Sequence, residues 1–437
     1  MRLVGGSCVD GANSRADAGL PDLVYINLTT SLFLHLSFFL VSYHNLLWTL
    51  FSTTNQAFSL ILPTTTNNYY NIYYQQQYHY SRHTATMRLS TILATLAGFA
   101  ITSFALPVTK PRSLERDTTR QLLKRQITGP VIVTDFPDPS IIQVDGTWYA
   151  FGTQSRFDYT NIKTQLATSN DFDNWNLREN YDALRNLPSW VDKNDPRIWA
   201  PDVFQNDEGD YVMYFSAAYA AQSWKHCVGA AKSSSIEGPY DSVSDTPLAC
   251  PLDLGGAIDA SAFQDDDGSR WMLYKDDGNA VGSGGVCGNS NNDTKQADTW
   301  IVLIQMGGDG YTVTGTPNRI LNRDAADGPL IEAPALTRQD NGQYVLYFSS
   351  QCYTDENYDT SYAVSDRLTG GYRKAARPVL EYGVTENTIW GPGGADVDDN
   401  STHMAFHGYR SADQVGRVRS MYVARPTFHE DTNTVTV

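Results

Sequence analysis

The chain has 437 residues, more than one usual domain, and carries 32 Lys and Arg against 48 Asp and Glu, a formal net charge of −16. Length sets only a soft bound on domain count. The charge argues against a nucleic acid partner, whose phosphates it would repel, and fits a neutral ligand.

Residues 1–86 do not read as a folded domain. The tract from Thr64 to Tyr78 is low in complexity, rich in Thr, Asn, Tyr and Gln, and nothing in it alternates cleanly. The apolar stretch from Leu32 to Phe51 has the length of a membrane span, about 20 residues, but His35, His44 and Asn45 interrupt it. A better-formed start lies at Met87-Arg88, where an apolar run from Leu89 to Phe104 leads to small residues around Ala105, as a signal peptidase requires. On this reading residues 1–86 are a disordered leader from a mistaken start, 87–105 a signal peptide, and 106–125 a pro-segment ending in the dibasic Lys124-Arg125. The mature protein would then be extracellular, with no membrane attachment.

From residue 126 onward the sequence repeats. Five acids open five similar segments: Asp138 in Phe136-Pro-Asp-Pro-Ser140, Asp202 in Trp199-Ala-Pro-Asp202, Asp259 in Ile258-Asp-Ala-Ser261, Glu332 in Ile331-Glu-Ala-Pro334 and Asp396 in Gly394-Ala-Asp-Val397. They are spaced 64, 57, 73 and 64 residues apart. After each acid comes a short apolar run, a polar turn and an aromatic-rich strand, as in Ser140 to Val144 with Thr147 to Gly152, or Ala335-Leu336 with Gln343 to Ser349. These pairs read as β-hairpins, and the fifth copy, Ala395 to Tyr409, is degenerate. A period of about 65 residues with no helix-period stretch suits a four-stranded propeller blade plus loops. The spacing therefore predicts an all-β fold, a five-bladed β-propeller over 126–437. The first strand of each blade would line the central channel, and the five acids would converge at one level.

Besides Cys8 there are four cysteines, Cys227, Cys250, Cys287 and Cys352. Cys287 and Cys352 each follow the second strand of their blade, so they occupy comparable places on neighbouring blades and suit a bridge, leaving Cys227 for Cys250. The alternative is four buried thiols. Two glycosylation sequons, at Asn292 and Asn400, fall in polar loops.

Carboxylates facing each other across a channel are what glycosidic bond cleavage needs: one protonates the leaving oxygen and one activates water. Chemistry alone does not choose among five. The ordered set Phe136-Pro-Asp-Pro-Ser140, Trp199-Ala-Pro-Asp202, Ala257-Ile-Asp-Ala-Ser261, Ile331-Glu-Ala-Pro334 and Trp390-Gly-Pro-Gly-Gly394 resembles glycoside hydrolase family 43, over Val131 to about Tyr409. That family holds arabinanases, arabinofuranosidases and β-xylosidases on a five-bladed propeller. The resemblance implies that Asp138 is the general base, Glu332 the general acid, and Asp259 the residue that orients the acid and modulates its pKa, in an inverting reaction. Asp202 and Asp396 match no catalytic role and are expected to cap backbone amides.

Aromatic residues near these motifs, Phe136, Trp199, Trp224, Tyr353 and Trp390, are candidates to stack on a sugar ring. Arg197, Lys275, Asn279, Gln351 and Arg410 are candidate polar partners. Many family members carry His after the Gly-Pro-Gly of the fifth blade, where this chain has Gly394, and His407 is the nearby alternative. It would bind a substrate hydroxyl or help hold an axial structural calcium through water. Neither a zinc-type Cys/His cluster nor a Gly-rich phosphate loop is present in the sequence, so no cofactor is required on this reading.

The expected ligand is an arabinose- or xylose-containing plant polysaccharide or oligosaccharide, handled by a monomer. The insert from Asp276 to Asp298 and the stretch Tyr353 to Thr360 are placed to wall off the channel mouth, which favours exo action, with endo-1,5-α-L-arabinanase as the alternative. A non-catalytic sugar-binding propeller would be expected to lose an acid. A fructan-active enzyme of the related five-bladed families would show different motifs around its acids. Secreted material should begin near Gln126, and expression from Met87 should match that from Met1; an intact mass that includes residues 1–86 would overturn the processing scheme.

Overall fold

In the computed structural model the described residues are 127–289, 296–382, 385 and 388–437, together with two short strands near the amino terminus. The chain divides into two units, Met1–Phe104 and Ala105–Val437. In the first, β1 (Ser59–Pro63) pairs antiparallel with β2 (Tyr69–Tyr73). The expected leader, signal peptide and pro-segment otherwise lie outside the described residues, as does the sequon at Asn292. Among the described residues no helix is long and apolar enough to cross a membrane.

The second unit opens with β3 (Ile127–Ile132) and continues through four antiparallel sheets, each in simple meander order. Blade one is β4 (Ser140–Val144), β5 (Thr147–Gly152), β6 (Gln165–Ser169) and β7 (Asn176–Leu177). Blade two is β8 (Trp199–Gln205), β9 (Tyr211–Tyr219), β10 (Gln222–Ser233) and β11 (Asp241–Ser242). Blade three is β12 (Ala257–Gln264), β13 (Arg270–Asp276), β14 (Ile301–Met306) and β15 (Asn318–Leu321). Blade four is β16 (Ile331–Arg338), β17 (Tyr344–Ser350), β18 (Asp359–Ser365) and β19 (Arg373–Lys374).

The fifth blade supplies β20 (Trp390–Val397), β21 (Met404–Tyr409) and β22 (Ser420–Ala424), and takes its outer strand from the start of the unit: β22 pairs antiparallel with β3. The fold is the expected five-bladed β-propeller, closed by that pairing. A repeat search does not find the closure, because β3 is a lone strand ahead of the first repeated motif. A final hairpin, β23 (Thr427–His429) with β24 (Thr434–Thr436), follows the ring, and Val435 N–H donates to the Tyr362 hydroxyl at 3.1 Å.

Aromatic-rich second strands exist because each blade is covered on both faces. Buried apolar residues form five clusters, one at each junction between neighbouring blades. Phe151 and Leu166 of blade one, for instance, meet Met213 and Phe215 of blade two. Each such side chain contributes roughly 1.5–3 kcal/mol on leaving water. This packing corrects one expectation: Phe136 is 0% exposed and belongs to the junction between blades five and one, so it stacks on no sugar.

Two acids staple blades together, as capping carboxylates do. Asp202 accepts from Ala262 N–H at 2.8 Å and Asp396 from Ile141 N–H at 2.7 Å, each reaching the first strand of the next blade. The cysteines pair as Cys227 with Cys250 and Cys287 with Cys352. The second bridge ties the β13–β14 connection of blade three to the β17–β18 connection of blade four, spanning 65 residues. Replacing Cys287 and Cys352 by Ser should lower unfolding free energy by about 2–5 kcal/mol, read by denaturant titration. The native protein should show no alkylatable thiol at these four positions.

Candidate active site

The first strand of a blade is bent where its acid stands. Register shifts interrupt β8 between Trp199 and Asp202, β12 between Ile258 and Ser261, β16 between Glu332 and Ala335, and β20 at two places. The bends carry left-handed backbone at Asp138 (φ 50°), Ala200 (φ 40°), Asp259 (φ 55°) and Ala333 (φ 52°). Such bulges re-aim side chains, and non-glycine residues rarely tolerate this conformation unless the surroundings impose it. Here they turn the acids toward the axis. One cavity on that axis is lined by all five entrance strands, through Asp138, Asp202, Asp259, Ala333 and Asp396 among others. Glu332 flanks it, one residue before Ala333.

Asp138 is held by three groups. Thr153 donates its hydroxyl to Oδ2 at 2.7 Å, Arg419 Nη1 lies 3.2 Å from Oδ1, and the Asp138 N–H donates to His407 Nδ1 at 3.1 Å. Burial opposes its charge, but the Arg419 guanidinium, helped by the Thr153 hydroxyl, outweighs that and holds its carboxyl well below the usual carboxylate range. Asp138 is therefore ionised at any ordinary pH.

His407 is fully buried, and burial lowers its pKa. Because Nδ1 accepts the Asp138 N–H, the ring is neutral with its proton on Nε2, and the 3.2 Å approach of Nδ1 to Asp138 Oδ1 is no ion pair. The imidazole also explains Gly394: a Cβ there would come within 2.6 Å of the ring and 2.8 Å of Asp138 Oδ1. The buried Nε2–H has no protein partner. It offers a metal no lone pair, so it suits a water or hydroxyl acceptor and not direct ligation of calcium. Among the described residues no group of three or more His, Cys, Asp or Glu forms a metal site.

Glu332 receives the Tyr358 hydroxyl at Oε1, 2.9 Å, and faces Lys275 Nζ at Oε2, 3.0 Å. Lys275 is fully buried and also contacts Asp277 at 3.2 Å. Burial works against its charge, but Glu332, Asp277 and Asp259 more than compensate and keep it protonated. Lys275 is thus a partner of the acid, correcting its reading as a sugar-binding residue. Asp259 donates its N–H to Ser216 Oγ at 2.9 Å and accepts from Ala333 N–H at 3.0 Å. Burial, then the charge of Glu332, push its carboxyl well above the usual range, with Lys275 opposing. Tyr358 also stacks on His407, centroids 5.7 Å apart, so a continuous frame joins Glu332 to Asp138.

The other candidates divide. Trp199 is half-buried and stacks on His226 at 3.7 Å, with the Arg197 guanidinium 6.0 Å from its ring. Trp390, at the start of β20, is half-buried against Tyr382. Tyr353 lies under Arg419 at 5.1 Å, close to Asp138. Gln351 spends its amide on the Ala326 carbonyl at 2.9 Å, and Asn279 donates to the Cys287 carbonyl at 3.1 Å; both brace loops. Arg410 is exposed, and the guanidinium beside Asp138 belongs to Arg419. Arg419, Thr153 and Tyr358 were not found by sequence reasoning; the one signal for Arg419 is a cation at the mouth of an apolar strand. Arg419→Met should leave the burial of Asp138 unopposed by its main counter-charge. Its carboxyl then titrates at higher pH, and the acid limb of the pH–activity profile should move upward, whereas an unmoved limb would show that Arg419 does not hold the charge.

A family profile described as glycosyl hydrolases family 43 matches residues 127–432. The chain is similar to beta-D-galactofuranosidase xynD of Aspergillus niger, 24% identical over 68% of this chain and 82% of that protein. It is also similar to extracellular endo-alpha-(1->5)-L-arabinanase 2 of Bacillus subtilis, 28% identical over 60% of this chain and 54% of that one. The crystal structure of a thermostable family-43 glycoside hydrolase superposes with a TM-score of 0.58 at 22% identity, covering 70% of this chain and 93% of its own. The chain belongs to glycosyl hydrolases family 43, whose members are inverting glycoside hydrolases.

Proposed function

We propose that the protein is a secreted, exo-acting glycosidase releasing arabinose or xylose from plant cell-wall polysaccharide or its oligosaccharides. The observation that carries the catalytic roles is the contrast between two carboxyl environments on one frame. Asp138, ionised beside Arg419, is the general base: it takes a proton from a water that attacks the anomeric carbon. Glu332 is the general acid and gives its proton to the glycosidic oxygen as that bond breaks. Asp259, whose carboxyl is pushed up by burial and then by the charge of Glu332, stands beside that acid, and Lys275 is the counter-charge that receives the carboxylate left after the transfer. Solvent then returns the proton to the acid and removes the one on Asp138. Acid and base must leave room for the water, a carboxyl separation of roughly 6.5–9.5 Å.

The substrate class is supported by what relatives are named for, arabinanase in one case and xylosidase/arabinosidase in another. Exo action is supported by the nearness of the bridged connections of blades three and four to Glu332, which Tyr358 reaches directly and Asp277 through Lys275. The endo reading rests on the Bacillus subtilis relative. Secretion is supported by two disulfides, which persist in oxidising compartments, and by that relative's extracellular naming.

A panel of nitrophenyl pentosides, linear arabinan and xylan, with products resolved by chain length, tests substrate and mode of attack. Monosaccharide as the only early product supports exo action, and a ladder of oligosaccharides overturns it. Asp138→Asn should abolish turnover of every substrate while sugar binding persists. Glu332→Gln should slow natural glycosides by about 10²–10⁴-fold and nitrophenyl glycosides much less, because nitrophenolate leaves unaided. Equal losses on both would remove Glu332 from the role of acid. Proton NMR of the first-formed sugar should show the inverted anomer.

A further inference from the structure

On the rim of blade two an indole is held out into solvent. Trp224 is 56% exposed, the most exposed of the large apolar side chains among the described residues. It stands in β10 near the β9–β10 turn, and the pairing register locates it. Trp199 at the mouth pairs with Ser216 of β9, and Ser216 pairs with Val228 of β10. Val228 therefore marks the level of the strand entrances, and Trp224 lies four residues closer to the tip. Its bulge falls between the levels of Ala218 and Tyr219 of β9, two to three residues beyond Ser216, which at about 3.3 Å per residue lifts it roughly 7–10 Å above the mouth, on the face where the acids open. His226, two residues on, is the residue stacked on Trp199 at 3.7 Å. Trp199, next to the cavity-lining Ala200, is thus joined by stacking to the strand that carries Trp224.

The local structure presents this ring and fixes it. Gln222 pairs with Tyr219 and His226 with Ala218, so Ser223, Trp224 and Lys225 form a bulge with no partners across the strand pair. Lys225 is itself buried: its ammonium sits 4.4 Å from the centre of the Trp224 ring and donates to the Leu252 carbonyl at 2.6 Å. The Cys227–Cys250 disulfide and the bridge from His226 to Gly256 pin the same segment to the β11–β12 connection. One face of the indole is thus backed by a fixed cation while the side chain as a whole remains more than half exposed. A braced, exposed aromatic ring beside a sugar-cleaving channel matches the apolar CH face of a sugar ring, and bracing removes the ordering cost of binding it.

We infer that Trp224 is a distal sugar-stacking platform that binds a pentose ring of an extended arabinan- or xylan-type chain, remote from the bond being cleaved. The inference rests on the glycosidase reading above and adds that the enzyme prefers longer chains. The test compares wild type, Trp224→Ala and Trp224→Phe on the disaccharide and the hexasaccharide of whichever series, arabino- or xylo-oligosaccharide, the wild type cleaves. In Trp224→Ala the ratio of kcat/KM for hexasaccharide over disaccharide should fall about tenfold, mainly through KM, and Trp224→Phe should retain most of it. An unchanged ratio in Trp224→Ala, or equal loss on both lengths, overturns the platform and leaves the glycosidase reading intact. A wild type that cleaves neither series overturns that reading, and the platform with it.

Discussion

The pairing of β3 with β22 is the contact on which the rest depends. An open array of blades would leave the last junction unpacked and a strand edge bare, whereas closure buries the cluster built from Ile132, Phe136, Met421 and Val423. It also sets the chemistry. Asp138 follows the closing strand by a few residues, and its ligands Arg419 and His407 stand on the fifth blade, at the other end of the unit. Only when the ring shuts do these groups meet.

Closure concentrates carboxylates, and each needs a different answer to burial. Asp138 receives a guanidinium and a hydroxyl and stays charged. Asp202 and Asp396 receive one backbone N–H each from the neighbouring blade but no cation, so burial pushes Asp202 up to about 7 and Asp396 well above the usual range. Lys275, the one buried ammonium here, lies against Glu332, and Asp259 is left with burial and the Glu332 charge pushing its carboxyl well above the usual range. One motif, repeated around an axis, thus yields carboxyls in different electrostatic settings. The difference lies in which cation the other blades deliver.

The same division governs the aromatics. Phe136 and Trp199 look equivalent beside their acids, yet Phe136 fills a blade junction and Trp199 stands at the mouth. A propeller covers both faces of each sheet, so an aromatic on a strand is spent on packing unless the strand outruns its neighbours. β10 does so at Trp224.

The sequence by itself determined the repeat, the strand pairs within it, the all-β class and the five acids at the strand entrances, because period-two strands, turn chemistry and recurring motifs are local and survive in one dimension. The disulfide pairing followed from the same repeat, since equivalent places on adjacent blades are neighbours in space. Arg419 beside Asp138 was decided only by the tertiary structure, 281 residues separating the two. So were Lys275 serving Glu332, Gly394 yielding its space to His407, and the borrowed strand that shuts the ring. Except for Gly394 and His407, which face each other on adjacent strands of blade five, these are contacts across blades whose partners lie too far apart along the chain for any periodicity to pair them. Burial and counter-charge are likewise properties of that closed assembly, so the protonation of the acids is decided there, while their presence is written in the chain.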